Sequence, residues 1–307
     1  MSEAEQRPAF IGVDWGTSSF RAWLFDDKGG VLDLVQGPFG IRQITDRSFE
    51  KTLRTAIGSW LVEHEDIAVI MCGMIGSEQG WYEAGYLSGK IGVDELSSGM
   101  VKVPDTQLNV MIVPGIRGVS VAGLNDVLRG EETLLAGWLQ QPTDSEAVFC
   151  LPGTHSKWIV AREGQVNQLT TFMTGELFEL MRTRSILAPL IDSQAVADSE
   201  SDLFCKGLTI AQSPVGLLHQ MFAIRAGALT GQFAKSDVLT LLSGVLVGAE
   251  CLAAKSLVQN RSVTLMSSGD LKQTYQNAFE HFGFVFNVAD SEQAAQKGLF
   301  SIFNQIQ

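Results

Sequence analysis

Two stretches of the chain, Asp14-Trp15-Gly16-Thr17-Ser18-Ser19 and Leu151-Pro152-Gly153-Thr154-His155-Ser156, share the pattern x-x-Gly-Thr-x-Ser, and each falls at the same point in a similar run of strands. The first lies between the apolar run Ala9 to Val13 and the aromatic-rich run Phe20 to Phe25. The turn cluster Asp26-Asp27-Lys28-Gly29-Gly30 and the run Val31 to Val35 follow. The second lies between Ala147 to Leu151 and Trp158 to Ala161, with the turn Glu163-Gly164 and Gln168 to Phe172 after it. Short apolar and aromatic runs separated by Gly and Asp read as antiparallel meanders. Two copies are too few for a solenoid. The repeat predicts two similar domains facing each other, and 307 residues suit about two domains. The expected division is residues 1–141 and 142–307.

Other segments fill in around the repeat. Phe49 to Val62 has helical spacing at Phe49, Leu53, Ile57, Trp60 and Leu61, with Asp46 or Ser48 as cap. Ala68 to Cys72 and Val110 to Val113 are expected strands, and Asn125 to Gln140 reads as a helix joining the halves. Further helices are expected at Glu176 to Leu187, Val215 to Thr230 and Asp237 to Val258. The strand Val263 to Met266 leads through Ser267-Ser268-Gly269 into a helix from Leu271 to His281. Phe284 to Val288 and a helix from Ser291 close the chain.

Composition removes several function classes. With 22 Lys and Arg against 34 Asp and Glu, the net charge of −12 repels a phosphate backbone and an anionic membrane surface, so neither nucleic acid nor membrane is an expected partner. No stretch supplies about 20 clean apolar residues, which argues against a membrane-spanning helix. Met1 to Pro8 is polar and carries no secretion core. Cys72, Cys150, Cys205 and Cys251 stand apart with no C-x-x-C pair, as reduced thiols in the cytoplasm do. The sequence leaves room for a homodimer.

A Gly-Thr turn offers backbone N–H groups and hydroxyls in a concave cluster that binds phosphate oxygens without a full positive charge. Two of them could hold the β- and γ-phosphates of ATP, through Gly16, Thr17 and Ser18 in one turn and Gly153, Thr154 and His155 in the other. Two ordinary hairpins are the bland alternative. Asp14 repels phosphate, so its use would be as a ligand of a magnesium ion that bridges the phosphates. Arg21 could neutralise the transferring group, and Lys157 is a second counter-charge. Other phosphate devices are missing. The nearest approach to a Walker loop, Gly85 to Ile91, is one residue short, and no two glycines stand two apart.

Asp126, at the expected helix start, is either an N-cap or a general base for an attacking hydroxyl. Glu131 and Glu132 are rival bases, or else a solvated face or outer metal neighbours. Ser268 and Gly269, before a helix N-terminus, would let adenine or ribose approach the backbone. Gly244 and Gly248 form a smooth strip that serves either tight helix packing or a nucleotide floor.

Asp14-x-Gly16-Thr17-Ser18-x-x-Arg21 resembles the first phosphate motif of sugar kinases in the actin, hexokinase and heat-shock-chaperone superfamily, and Leu151 to Lys157 is similar to the second. More specifically, Gly12 to Ser18, Cys72 to Ser77, Val113-Pro114-Gly115, Asn125 to Thr133, Leu151 to Trp158 and Met173-Thr174-Gly175-Glu176 resemble, in order, the 2-dehydro-3-deoxygalactonokinase family. The resemblance implies an α/β fold of two ribonuclease-H-like domains flanking a central cleft, with sugar-acid-binding loops in the first and the nucleotide site in the second. It implies transfer of the ATP γ-phosphate, with Mg2+, to the 6-hydroxyl of 2-dehydro-3-deoxy-D-galactonate in galactonate degradation. Asp126 matches the Asn-Asp position where hexokinase-like relatives keep their base. Pro152 departs from the Asp of many superfamily members, which leaves Asp14 as the metal-side carboxylate. A sugar acid needs a cation or backbone donors. Arg117 is the first candidate, and Ser77, Gln79 and Trp81 offer polar groups beside an aromatic face. Rival readings are a kinase for a hexose, an amino sugar or 2-keto-3-deoxygluconate, and a non-catalytic ATP clamp.

Overall fold

A computed structural model describes residues 7–139 and 146–307. They divide into two compact units. The first takes the described residues up to Glu146 together with Ala161–Gln168 and Ser291–Gln307, and the second takes Ala147–Val160 and Leu169–Asp290. The division is therefore not sequential, as the expected 141/142 boundary would have it. The closing helix returns to the first unit.

In the first unit β1 (Pro8–Trp15), β2 (Phe20–Asp26) and β3 (Val31–Gly37) form the expected meander, and α1 (Phe49–Glu63) leads to β4 (Ala68–Cys72). There follow β5 (Tyr86–Ser88), α2 (Val93–Ser98), β6 (Val101–Lys102), β7 (Val110–Ile112), β8 (Gly115–Val119), β9 (Asn125–Leu128) and α3 (Glu131–Leu139). The main sheet runs β3-β2-β1-β4-β7-β6, and β5-β8-β9 make a separate small sheet. Trp15, Phe20, Phe49, Leu53, Ile57 and Met71 are among the side chains of the core between sheet and α1.

The second meander is β10 (Ala147–Leu151), β11 (Ser156–Arg162) and β12 (Gln165–Phe172). After it come α4 (Thr174–Arg184), α5 (Asp202–Ala211), α6 (Leu217–Leu229), α7 (Val238–Val258), β13 (Val263–Met266), α8 (Gly269–Phe282) and β14 (Phe286–Ala289), and α9 (Ser291–Asn304) completes the chain. This sheet runs β12-β11-β10-β13-β14, the order β3-β2-β1-β4-β7 over again. In both, the first strand of the meander continues into parallel pairing, with β4 and then β7 in one and with β13 and then β14 in the other. The sequence repeat is thus a repeat of topology.

Two expectations need correction. The segment expected to be helical from Asn125 begins as strand β9, paired antiparallel with β8, and the helix starts at Glu131; Gln140 lies outside the described residues. Lys235–Val258 is long and apolar enough to cross a membrane, yet 72% of that window is buried, because α7 is the central core helix of its unit.

Close helix contacts rest on glycine. A Cβ on Gly298 of α9 would lie 1.7 Å from the Thr133 carbonyl of α3, whereas one on Gly58 of α1 meets nothing within 4 Å. Gly298→Ala is expected to lower stability by about 1–3 kcal/mol in urea melts, and Gly58→Ala to raise it by about 0.5–1 kcal/mol. Equal effects would contradict this packing.

Candidate active site

The first Gly-Thr turn joins β1 to β2, a register that sets Asp14 opposite Arg21. Arg21 Nη2 donates to Asp14 Oδ2 at 2.6 Å, so the guanidinium is paired with the carboxylate rather than standing clear of it. The Gly16 and Thr17 carbonyls accept from Ile41 N–H at 3.0 Å and Arg42 N–H at 3.2 Å. Gly40 makes that approach feasible: a Cβ there would fall 2.3 Å from the Ser18 backbone. With the carbonyls held, the N–H groups of Thr17 and Ser18 have no partner among the described residues.

The second turn is built the same way from different residues. The Thr154 carbonyl accepts from Glu176 N–H at 2.9 Å, and Gly175 lies so close that a Cβ would come 2.4 Å from the Gly153 carbonyl. The N–H groups of Gly153 and Thr154 likewise have no partner among the described residues. His155 bonds the Glu176 carboxylate. Lys157 is buried, and its ammonium donates to Thr171 Oγ1 at 2.9 Å. Gly40, Gly175 and Glu176 are the residues that sequence reading missed as parts of the turns. The signal was a glycine shortly after the third strand of each meander.

Gly153, Thr174 and Gly175 form one wall of a pocket of about 570 Å³, within the size range of small-molecule sites. Phe178, Leu246 and Leu271 supply apolar lining, and Asp270 stands where α8 begins. Ser268 and Gly269 start that helix, exposed and just outside the lining. Gly244 does not serve as a nucleotide floor. It is buried against α5, where a Cβ would lie 2.4 Å from the Phe204 carbonyl, and Gly248 packs on the same helix. The strip is a helix seam.

Behind Asp14 lies a tight backbone junction. Gly73, at φ +91°, has room for no Cβ: one would sit 2.8 Å from the Trp15 carbonyl and 3.3 Å from Asp14 Oδ1. Gly130, at φ +104°, packs on Gly73 from the other side and brings the start of α3 there. Glu131 accepts from Arg129 N–H at 2.9 Å and Glu132 from Gly130 N–H at 2.6 Å. Glu132 is fully buried, not part of a solvated face, and its Oε1 has no hydrogen-bond partner among the described residues. Burial, and secondarily Glu131, pushes its carboxyl up to about 8. Burial, then Asp14 and Glu132, also raise the Cys72 thiol.

Asp126 is half-buried on β9, and its Oδ1 accepts from Val127 N–H at 2.7 Å. It pairs with Gly118, while Arg117 pairs with Val127. Side chains alternate along a strand, so Asp126 and Arg117 leave opposite faces of this small sheet. Arg117, the candidate cation for the sugar acid, is exposed and bonds Ser88 Oγ at 3.1 Å, on the face away from Asp126. Ser77 is buried and donates to the Met74 carbonyl at 2.7 Å, so its hydroxyl is spent locally. Gln79 is exposed. Trp81 packs on the core of its unit. Arg47 holds this loop through the Gly80 carbonyl at 2.7 Å.

Magnesium takes oxygen ligands, commonly one or two carboxylates completed by phosphate and water. Among the described residues no three His, Cys, Asp or Glu gather to cage an ion. Asp14, with Oδ2 on Arg21 and Oδ1 beside Gly73, fits an ion shared with a phosphate ligand.

The family model described as 2-keto-3-deoxy-galactonokinase matches residues 14–302. The chain belongs to that family. It is 31% identical over 298 residues to the 2-dehydro-3-deoxygalactonokinase of Escherichia coli, covering 97% of this chain and 98% of that one. A "Probable 2-dehydro-3-deoxygalactonokinase" of Rhizobium meliloti is 33% identical over 301 residues, covering 94% and 95%. A crystal structure of a Sinorhizobium meliloti protein given the same assignment superposes with a TM-score of 0.88 at 32% identity, covering 97% of this chain and 99% of that one. Galactonokinase-family membership and the fold of two similar α/β units therefore agree. A Clostridium difficile dehydratase activator shares the fold at a TM-score of 0.51 and 11% identity.

The carboxyl of Glu132 gives a pH signature. Between 4.5 and about 8 the folded protein keeps a proton that the unfolded chain has released, so stability falls with rising pH across that window, by up to ~1.4 kcal/mol per unit, and levels off above it. Glu132→Gln removes the effect. Its melting temperature is expected to match wild type near pH 5 and exceed it increasingly towards pH 8, and a constant gap would contradict a buried neutral carboxyl.

Proposed function

We propose that the protein is an ATP-dependent kinase that phosphorylates the 6-hydroxyl of 2-dehydro-3-deoxy-D-galactonate. Family membership supports the acceptor, and one observation about the turns supports the donor. Gly16 and Gly153 are glycines that neither backbone nor packing requires. Neither has positive φ, and a Cβ would meet only Ser19 Oγ at 3.3 Å and backbone oxygens at 3.7 Å or beyond. Glycine at such a place suits the close approach of a ligand to free N–H groups.

The turns' N–H groups then bind phosphate oxygens, and the pocket beside Gly153 takes the nucleoside. Asp14 would hold magnesium, which when bound neutralises charge on the phosphates. Asp126 accepts the proton of the attacking hydroxyl; it is solvent-reachable, which Glu132 is not. Glu131 is the rival, because α3 begins at that residue beside the Gly73–Gly130 junction. Galactonate breakdown in the cytoplasm fits the free thiols of all four cysteines. The charge of −12 keeps nucleic acid and anionic membrane out of the partner set.

Purified protein with Mg-ATP is expected to phosphorylate 2-keto-3-deoxygalactonate in preference to its gluconate epimer and to glucose. Sugar-independent hydrolysis alone would instead favour an ATP clamp. Asp126→Asn should retain nucleotide binding and lose about 10²–10⁴ in kcat. Near-normal turnover in Asp126→Asn with collapse in Glu131→Gln would transfer the role to the helix start. Asp14→Ala is expected to lose turnover at every magnesium concentration; wild-type response to magnesium would exclude its metal role.

A further inference from the structure

Glu250, on α7 in the second unit, is 2% exposed, and no cation among the described residues contacts it. Its carboxylate gathers neutral donors: Trp158 Nε1 at 2.8 Å, Tyr275 OH at 2.7 Å, and the Thr174 hydroxyl. Tyr275 OH, donating to Glu250, accepts from Ser156 Oγ at 2.7 Å. A buried carboxylate without a counter-ion is costly, and hydrophobic packing would fill the same space more cheaply. Here it joins four elements, and three of them build the nucleotide pocket. Thr174 precedes Gly175, which lies against the Gly153 carbonyl, and Thr174, Gly175 and Tyr275 all line the pocket. Ser156 and Trp158 lie on β11, just after the Gly-Thr turn.

We propose that Glu250 is a positioning residue for the nucleotide: by holding Thr174 and Tyr275 together it sets the pocket wall on which the second Gly-Thr turn rests. It does not touch the ligand. An amide in its place keeps the shape but accepts through one atom only: with that oxygen towards the hydroxyls the Trp158 indole N–H loses its acceptor, and with it towards the indole both hydroxyls do, so the tie between β11 and the Thr174–Tyr275 wall is broken either way. The wall would then relax without loss of the core around it.

This inference rests on the pocket being the nucleotide's, so the experiment tests both. A non-hydrolysable ATP analogue is titrated into wild type, Leu271→Arg, Glu250→Gln, Thr174→Val and Tyr275→Phe by calorimetry, with melting temperatures and steady-state kinetics alongside. Leu271→Arg places a charge at the pocket lining and is expected to abolish binding. If it binds as wild type does, the pocket reading fails. Glu250→Gln is expected to weaken analogue binding and raise the ATP KM about tenfold or more, with kcat at saturating ATP and the sugar-acid KM within twofold. Thr174→Val and Tyr275→Phe should each weaken binding about threefold or more, which keeps the proposal testable if Glu250→Gln does not fold. Wild-type affinity in the folded Glu250, Thr174 and Tyr275 variants, with Leu271→Arg blocked, overturns the positioning role alone. A lowered melting temperature with unchanged ATP KM does the same, since that is what a purely structural role would give.

Discussion

Each Gly-Thr turn owes its shape to a backbone that has come too close for a side chain. In one unit Gly40 lies against Ser18, and in the other Gly175 lies against Gly153. That proximity lets the next residue, Ile41 or Glu176, donate its N–H to a turn carbonyl. With those carbonyls bound, the N–H groups of Thr17, Ser18, Gly153 and Thr154 have no partner among the described residues. The proposed phosphate binding therefore depends on Gly40 and Gly175 as well as on the Gly-Thr residues.

The two units repeat this device but surround it differently. Behind the first turn stand Asp14 with Arg21 and the fully buried Glu132, held by backbone N–H groups. Behind the second, Glu250 is held by side-chain hydroxyls and an indole, and a pocket opens beside the turn. One unit thus keeps carboxylates behind its turn, while the other has a pocket beside it. The proposed phosphoryl transfer uses both surroundings, the carboxylates for metal and the pocket for the nucleoside.

Much of this was legible in the sequence because meanders write themselves as short apolar runs with Gly and Asp between them. In the second meander Ala147–Leu151 is a case where the run and the strand coincide, and so is the parallel strand Val263–Met266 outside it. Asn125-Asp126 misled because an N-cap and a β-strand residue look alike. The real helix signal was Gly130 followed by Glu131 and Glu132, with Gly130 in the left-handed region. Helix α5 was missed although Ser201 caps it through Phe204 N–H at 3.4 Å. The burial of Glu132 and the whole role of Glu250 were hidden for a physical reason: a helical carboxylate reads as solvated until its neighbours are known. Gly244 was ambiguous because packing and ligand approach both call for a missing side chain, and only the Phe204 carbonyl decides between them.

The claim on which the account turns is that both turns serve the same nucleotide. Calorimetric titration of a non-hydrolysable ATP analogue into Gly16→Ala and Gly153→Ala tests it, because the protein around either glycine has room for a Cβ whereas a phosphate held by the turn would leave none. Both variants should melt within a few degrees of wild type and bind the analogue at least about tenfold more weakly. Undiminished affinity in either folded variant would contradict the account.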